Sequence, residues 1–94
     1  MEKIIKLAEE CQEKAYNMNF TNPHDDYCWW ALHETASLFV HFVLENDDAG
    51  YIKVGKELLE MVEETQMFHE LKQELTMILA HTSKCIDNKN GENA

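Results

Sequence analysis

The chain has 94 residues, 45% of them hydrophobic and 28% charged, which is enough for one globular domain with a core of its own. Eighteen acidic residues oppose eight lysines, there is no arginine, and the formal net charge is -10. Direct binding to the phosphates of DNA or RNA is therefore disfavoured. The sequence also lacks an apolar run close to the roughly 20 residues that a membrane span needs.

Two interpretations of the acidity stay open. It can simply maintain solubility, or it can attract a basic partner such as the nucleic-acid-binding surface of another protein. The amino terminus has no secretory signal pattern, so we expect a cytoplasmic location. Cys11, Cys28 and Cys85 all fall at apolar positions of the helical pattern, which predicts buried, reduced thiols.

Residues 2–19 are predicted to form the first helix. Apolar residues recur there at the three-four spacing of one helical face. These residues are Ile4, Leu7, Ala8, Cys11, Ala15 and Met18.

The second helix is predicted at residues 23–46. Asn22 suits the N-cap, and Pro23 suits the first helical position, where its missing N–H costs nothing. Asp25 and Asp26 would place negative charge in the first turn, where the helix dipole favours it.

A helical projection gives the second helix a wide apolar face that spans about 200°. One neighbouring helix covers much less than that, so we expect this helix to be central and flanked on two sides. The apolar face carries Cys28, Trp29, Ala31, Leu32, Ala36, Leu38, Phe39, Val40, Phe42 and Val43.

The opposite face of this helix combines aromatic rings, acids and histidines. Tyr27 and Trp30 could cover a loop or the end of the first helix, or they could form an exposed surface for recognition, because Tyr and Trp concentrate at interface hot spots. The face consists of Tyr27, Trp30, His33, Glu34, Ser37, His41 and Glu45.

The segment 46–50 is polar and contains a glycine, which predicts a loop. Two further helices are predicted at 50–64 and 67–86. Their apolar stripes are displaced by more than about 100°, so we expect a break near 64–66; one long bent helix is the alternative. Residues 87–94 are polar and predict a flexible tail.

The predicted fold is therefore all-α: a small antiparallel four-helix bundle that forms a single domain over residues 1–86.

Two short motifs resemble metal sites of known families. His41 and Glu45 resemble the His-x-x-x-Glu element of hemerythrin-like di-iron bundles, although the paired histidines of that family have no counterpart on the neighbouring helices. Glu9, Glu10 and Glu13 resemble the Glu-Glu-x-x-Glu motif of MazG-type nucleoside triphosphate pyrophosphohydrolases. That resemblance implies Mg²⁺-dependent hydrolysis, with Glu45 and Asp48 as the nearest match to the second motif.

We nevertheless expect neither a metal nor another cofactor, and no catalytic residue is assigned. The chain has no Glu-x-x-His element and no nucleophile with a base at a suggestive spacing. The MazG-type enzyme stays the enzymatic alternative.

The leading hypothesis is a protein-binding module that acts as a stoichiometric inhibitor of a basic nuclease or nucleic-acid-binding protein. Toxin-immunity proteins and phage-encoded anti-defence proteins are two settings that fit. Residues 23–48 contain six acids and no lysine or arginine. A structural homodimer is a further alternative. The predicted contact residues are Tyr27, Trp30, Glu34, His41 and Glu45, with Asp25, Asp26, Asp47 and Asp48 steering the approach of the partner.

Overall fold

Four α-helices form the part of the protein that the structure describes: α1 (Glu2–Thr21), α2 (Trp29–Leu44), α3 (Asp48–Thr65) and α4 (His69–Glu92). The computed structural model describes the backbone of residues 2–21 and 27–92, and the side chains as far as His81. Within that part of the chain there is no β-strand. The all-α bundle predicted from the sequence is confirmed.

Helix α2 packs against α1 on one side and α3 on the other, and α4 completes the bundle against α3 and, less extensively, α1. The order of contacts shows that neighbouring helices are antiparallel. On α1 and α2, Tyr16 lies beside Trp30, and Gln12 lies beside His33. Between α2 and α3, Tyr27, which lies just before α2, donates a hydrogen bond to Met61, at the far end from the contact of Phe39 with Tyr51.

One apolar core joins all four helices. Its side chains come from the predicted stripes, and the largest of the fully buried ones is Phe39 of α2. The core consists of Ile4, Ala8, Cys11, Ala15, Trp29, Leu32, Ala36, Phe39, Val40, Val43, Tyr51, Val54, Leu58, Val62, Leu71, Leu75 and Leu79.

Helices α2, α3 and α4 meet at Gly55. A Cβ atom on this glycine would lie 3.0 Å from Cδ2 of Leu79 and 3.2 Å from Cε2 of Phe39. Both distances are tighter than ordinary van der Waals contact, so the absent side chain is what lets Phe39 and Leu79 approach the backbone of α3.

The amino-terminal boundary of α2 corrects the prediction. The helix begins at Trp29, after Cys28 with ψ of 86°, and not at Pro23. Tyr27 lies outside the helix, and its ring contacts that of Trp29 with centroids 4.8 Å apart. Two residues at this spacing on a helix would point about 200° away from each other, so the contact requires a non-helical backbone at Tyr27. The predicted cap at Asn22 and Pro23 lies outside the described residues.

The connection between α2 and α3 lies two residues earlier than predicted: α2 ends at Leu44 and not at residue 46, and α3 begins at Asp48 and not at residue 50. Asp47 is the N-cap of α3, and its Oδ1 accepts a hydrogen bond from the backbone N–H of Gly50 at 3.0 Å. This cap lets Asp48 begin the helix, so residues 48–50, predicted to be loop, form its first turn.

The break between α3 and α4 is confirmed at the predicted place. Helix α3 ends at Thr65, and the next residue, Gln66, has a left-handed backbone with φ of 56°. Phe68 has a second left-handed backbone, with φ of 55°, immediately before α4. Two non-glycine residues in this region are uncommon and reverse the chain without the help of a glycine.

Helix α4 continues to Glu92, beyond its predicted end at residue 86. Residues 87–92 are therefore helical in backbone, and the flexibility predicted for residues 87–94 stays a prediction.

Two other burial predictions are wrong. Leu38, assigned to the apolar face of α2, is 48% exposed, and Cys28 is exposed as well. The buried arc of α2 is narrower than the sequence suggested, since its two neighbours leave Leu38 uncovered. Cys28 lies before the helix begins. Cys11 is buried as predicted, and the side chain of Cys85 lies outside the described part of the chain.

The central position of Phe39 makes a stability prediction. Phe39→Ala should lower the free energy of unfolding by about 3–5 kcal/mol, because it removes a fully buried ring and leaves a cavity between three helices. The neighbouring change Leu38→Ala should cost no more than about 0.5 kcal/mol, since that side chain is half exposed. Urea denaturation followed by circular dichroism measures both; equal losses would contradict the packing described here.

Candidate functional site

The exposed face of α2 carries most of the predicted contact residues. Trp30, Glu34, His41 and Glu45 are all exposed, at spacings of four, seven and four residues. These spacings keep them on one side of the helix, over a length of about 22 Å. We call the set of exposed side chains on this side the α2 face; it comprises Trp30, Glu34, Leu38, His41, Leu44 and Glu45.

The adjacent tryptophans of α2 point in different directions. Trp29 is 6% exposed and belongs to the core, whereas Trp30 is 45% exposed. The sequence-based split between the two rings is therefore confirmed. Consecutive residues on a helix differ by about 100° in direction, so one ring can be buried while the other reaches solvent.

Trp30 belongs to a cluster of rings that joins α1 to α2. Its centroid is 5.0 Å from that of His33 and 6.2 Å from that of Tyr16. Tyr16 lies 5.3 Å from His33 and 4.9 Å from Phe20. We call Tyr16, Phe20, Trp30 and His33 the aromatic cluster. Three of its members are exposed, so the cluster presents rings to solvent instead of filling the core.

His33 attaches this cluster to the backbone of α1. Its Nδ1 lies 3.2 Å from the carbonyl oxygen of Gln12. A carbonyl oxygen only accepts hydrogen bonds, so Nδ1 is the donor, and in the neutral ring Nε2 is left as an acceptor. The bond fixes the orientation of the imidazole between Tyr16 and Trp30.

Tyr27 does not join the α2 face. Its hydroxyl donates a hydrogen bond of 2.7 Å to the carbonyl oxygen of Met61 on α3, and its ring contacts Trp29. Burial, helped by the negative charge of Glu64, raises its pKa from 10.0 to about 12. Tyr27 therefore follows the first of the two alternatives drawn from the sequence, in which its ring covers part of the bundle. The part that it covers belongs to α3, however, and not to the end of α1.

The predicted steering acids have different positions. Asp47 is engaged as the N-cap of α3, and Asp48 is exposed in the first turn of that helix. They come two and three residues after Glu45, so they add negative charge near the carboxyl end of α2. Asp25 and Asp26 lie outside the described residues.

The charge around the α2 face is uniformly negative along α2 itself. From Tyr27 to Asp48 the chain has four acids and no lysine or arginine. On α1, Lys3 contacts Glu70 and Glu74 of α4, at 3.4 and 3.1 Å. The amine of Lys14 lies over the ring of Phe68 at 5.7 Å.

Lys3 and Lys14 are thus engaged on the α4 side of α1, away from the aromatic cluster. The hydrogen bond to Glu74 contributes most to raising the pKa of Lys3.

The resemblances to metal sites gain no support from the geometry. Among residues 2–21 and 27–81, no three His, Cys, Asp or Glu side chains lie close enough to hold one metal ion. Glu9, Glu10 and Glu13 are exposed, as are His41 and Glu45. The structure therefore does not bring the two predicted acidic motifs together in the described part of the chain.

The two described cysteines have different environments. Burial raises the pKa of the Cys11 thiol from 9.0 to about 12, so this thiol is protonated at neutral pH and packs as an apolar side chain. Cys28 is exposed beside Tyr27.

Sequence reasoning missed four members of the exposed apolar surface. Tyr16 and Phe20 lie four residues apart on α1 and outside its apolar stripe, and this spacing was the available signal. Leu38 and Leu44 are 48% and 63% exposed on α2. The sequence could not show that these two leucines are exposed, because that depends on how much of the surface of α2 its neighbouring helices cover.

Among the described residues, no helix has the length and apolar character of a membrane span. Comparison of the chain with protein-family models, with curated proteins and with solved structures finds no match. The function proposed below therefore depends on the chemistry of the exposed surface.

The position of Tyr27 predicts a loss of stability without loss of binding. Tyr27→Phe removes the hydrogen bond to Met61 and should cost about 0.5–1.5 kcal/mol at pH 7. The matched change Tyr16→Phe, at an exposed ring, should stay within about 0.5 kcal/mol. Urea denaturation at pH 7 measures both changes.

The raised pKa of Tyr27 makes the free energy of unfolding depend on pH. The unfolded phenol ionises near 10 and the folded one near 12, so the stabilisation is present below pH 10 and is lost as the pH rises towards 12. Tyr27→Phe should remove this component and flatten the decline above pH 10. If the free energy of unfolding falls equally steeply above pH 10 in the wild-type protein and in Tyr27→Phe, the raised pKa is wrongly assigned to Tyr27.

Proposed function

We propose that this protein is a small acidic binding module. It binds a basic partner protein through the α2 face and the aromatic cluster, and it acts as a stoichiometric inhibitor of that partner. The observation that supports this proposal most directly is the exposed ring of Trp30, which contacts Tyr16 and His33 and is followed one turn later by the exposed carboxylate of Glu34.

Exposed aromatic rings at such a position favour binding to a protein. Tyr and Trp are enriched at interface hot spots because they bury a large area at a small cost in side-chain entropy. Trp30 and Tyr16 already contact each other, so part of that entropy is lost before the partner arrives. Preorganised rings of this kind contribute to the binding free energy of a complex.

The acids of the α2 face favour a partner of opposite charge. Glu34 and Glu45 belong to this face, and Asp48 follows it. Negative charge on one side of the molecule accelerates encounter with a basic surface and orients it. A basic protein surface that normally binds nucleic acid has the complementary charge, so occupying it would block nucleic-acid binding. Toxin immunity and phage anti-defence are the settings in which we expect such an inhibitor.

Self-association is the second candidate, because Leu38 and Leu44 are exposed on the same face. A twofold contact through the α2 face would, however, bring the acids of both copies into one interface. With a net charge of -10 this repulsion opposes a dimer formed through the α2 face. Sedimentation velocity over a concentration series distinguishes a monomer from a dimer.

A paired substitution tests the binding surface. Trp30→Ala combined with Glu34→Lys should weaken the partner complex by at least about 30-fold, because the pair removes an aromatic anchor and reverses a neighbouring charge. Affinity capture from the host cell with quantitative mass spectrometry identifies basic partners. Titration of the purified partner then measures the loss.

The matched control is Met77→Ala combined with Glu57→Lys. It truncates an exposed apolar side chain on α4 and reverses an exposed acid on α3, with the same change in net charge. The control should leave binding within about twofold of wild type, and both double variants should keep the helical circular dichroism spectrum. A partner that binds both double variants with equal affinity would refute the assignment of the α2 face.

A further inference from the structure

The aromatic cluster has a geometry that distinguishes between cations. Its ring centroids are separated by 4.9 to 6.2 Å along the path from Phe20 through Tyr16 to Trp30. Rings this close already contact one another. An ammonium group enclosed between two ring faces needs room between the rings, and rings in direct contact leave none. The cluster therefore leaves its outer ring surfaces, and no enclosed cage, for a ligand.

Outer ring surfaces suit a flat cation better than a compact one. The guanidinium group of arginine is planar and weakly hydrated, and it stacks on an aromatic face while its N–H groups stay free to bind acceptors. A lysine ammonium is more strongly hydrated and gains less from an open ring. Trp30 is 45% exposed and Tyr16 is 43% exposed, so both rings have surface available to a stacked group.

Acceptors for guanidinium N–H groups lie within about one helical turn of these rings along α1 and α2. Glu34 follows Trp30 by one helical turn, and Glu13 precedes Tyr16 by three residues; both carboxylates are exposed. A carboxylate can accept two parallel hydrogen bonds from one guanidinium group. His33 is held beside both rings by the hydrogen bond from its Nδ1 to the carbonyl oxygen of Gln12.

No arginine of the chain itself can stack on these rings. The chain contains no arginine. On α1, Lys14 lies over Phe68 and Lys3 contacts Glu70 and Glu74, all on the α4 side of the helix. An arginine at these rings must therefore come from another molecule.

We infer that the aromatic cluster binds an arginine side chain of the partner, stacked on Trp30 and Tyr16 and paired with Glu34. This inference rests on the proposed function and specifies the chemistry of the partner segment: a basic stretch in which arginine, and not lysine, makes the central contact.

Two synthetic peptides test the inference without knowledge of the partner. They are identical glycine-serine peptides with three evenly spaced cationic residues, all arginine in one and all lysine in the other. We expect the arginine peptide to bind about fivefold more tightly at 0.15 M salt. It should also shift the indole N–H resonance of Trp30 in ¹⁵N-edited NMR spectra more than that of Trp29.

Substitution of the rings separates stacking from simple charge attraction. Trp30→Leu keeps an apolar side chain but removes the ring, and should abolish the preference for arginine while leaving weak binding of both peptides. Glu34→Gln should weaken both peptides. Glu57→Gln, the matched loss of one exposed acid on α3, should preserve the preference.

Equal affinity for the two peptides in the wild-type protein would overturn the inference, as would an arginine preference that survives Trp30→Leu. If Glu34→Gln still weakens both peptides in those cases, the acidic binding surface stands and only the arginine assignment fails. Absence of binding by either peptide overturns the arginine assignment too, and the partner titration with Trp30→Ala and Glu34→Lys then decides the proposed function separately.

Discussion

The burial of Phe39 against Gly55 of α3 determines which side of α2 faces solvent. Its ring is fully buried where α2 meets Gly55 of α3 and Leu79 of α4, and a Cβ on Gly55 would come within 3.2 Å of it. Trp30 precedes Phe39 by nine residues, which is two and a half turns, so it must point to the opposite side. The packing of one core ring thereby exposes Trp30, and Glu34 and His41 with it.

The same packing of Phe39 produces a surface that combines aromatic rings with acidic side chains. Helix α1 runs antiparallel to α2 and brings Tyr16 beside Trp30, while the hydrogen bond from His33 to Gln12 connects the two helices at this point. The rings supply contact area, and the acids of α2 supply a field with no opposing base between Tyr27 and Asp48. A surface of this kind favours a basic protein partner, and its open rings favour a planar cation.

Periodicity alone predicted the four helices, the break near Gln66 and the split between the tryptophans, because each depends on apolar spacing within one helix. It failed where a contact between helices decides the outcome. Tyr27 lies outside the helix and donates a hydrogen bond to Met61 of α3, a contact that the sequence around Tyr27 does not predict. Tyr16 and Trp30 are 14 residues apart, so only the antiparallel packing of α1 on α2 brings them together.

Tryptophan fluorescence tests the central claim, that α2 buries Trp29 and exposes Trp30. The chain has two tryptophans, so Trp29→Phe leaves Trp30 as the only emitter and Trp30→Phe leaves Trp29. With both variants verified as folded by circular dichroism, acrylamide should quench the Trp30 emission several-fold more efficiently than that of Trp29, and the Trp30 spectrum should lie at longer wavelength. Equal quenching, or stronger quenching of Trp29, would contradict the orientation of α2 on which the proposed binding surface depends.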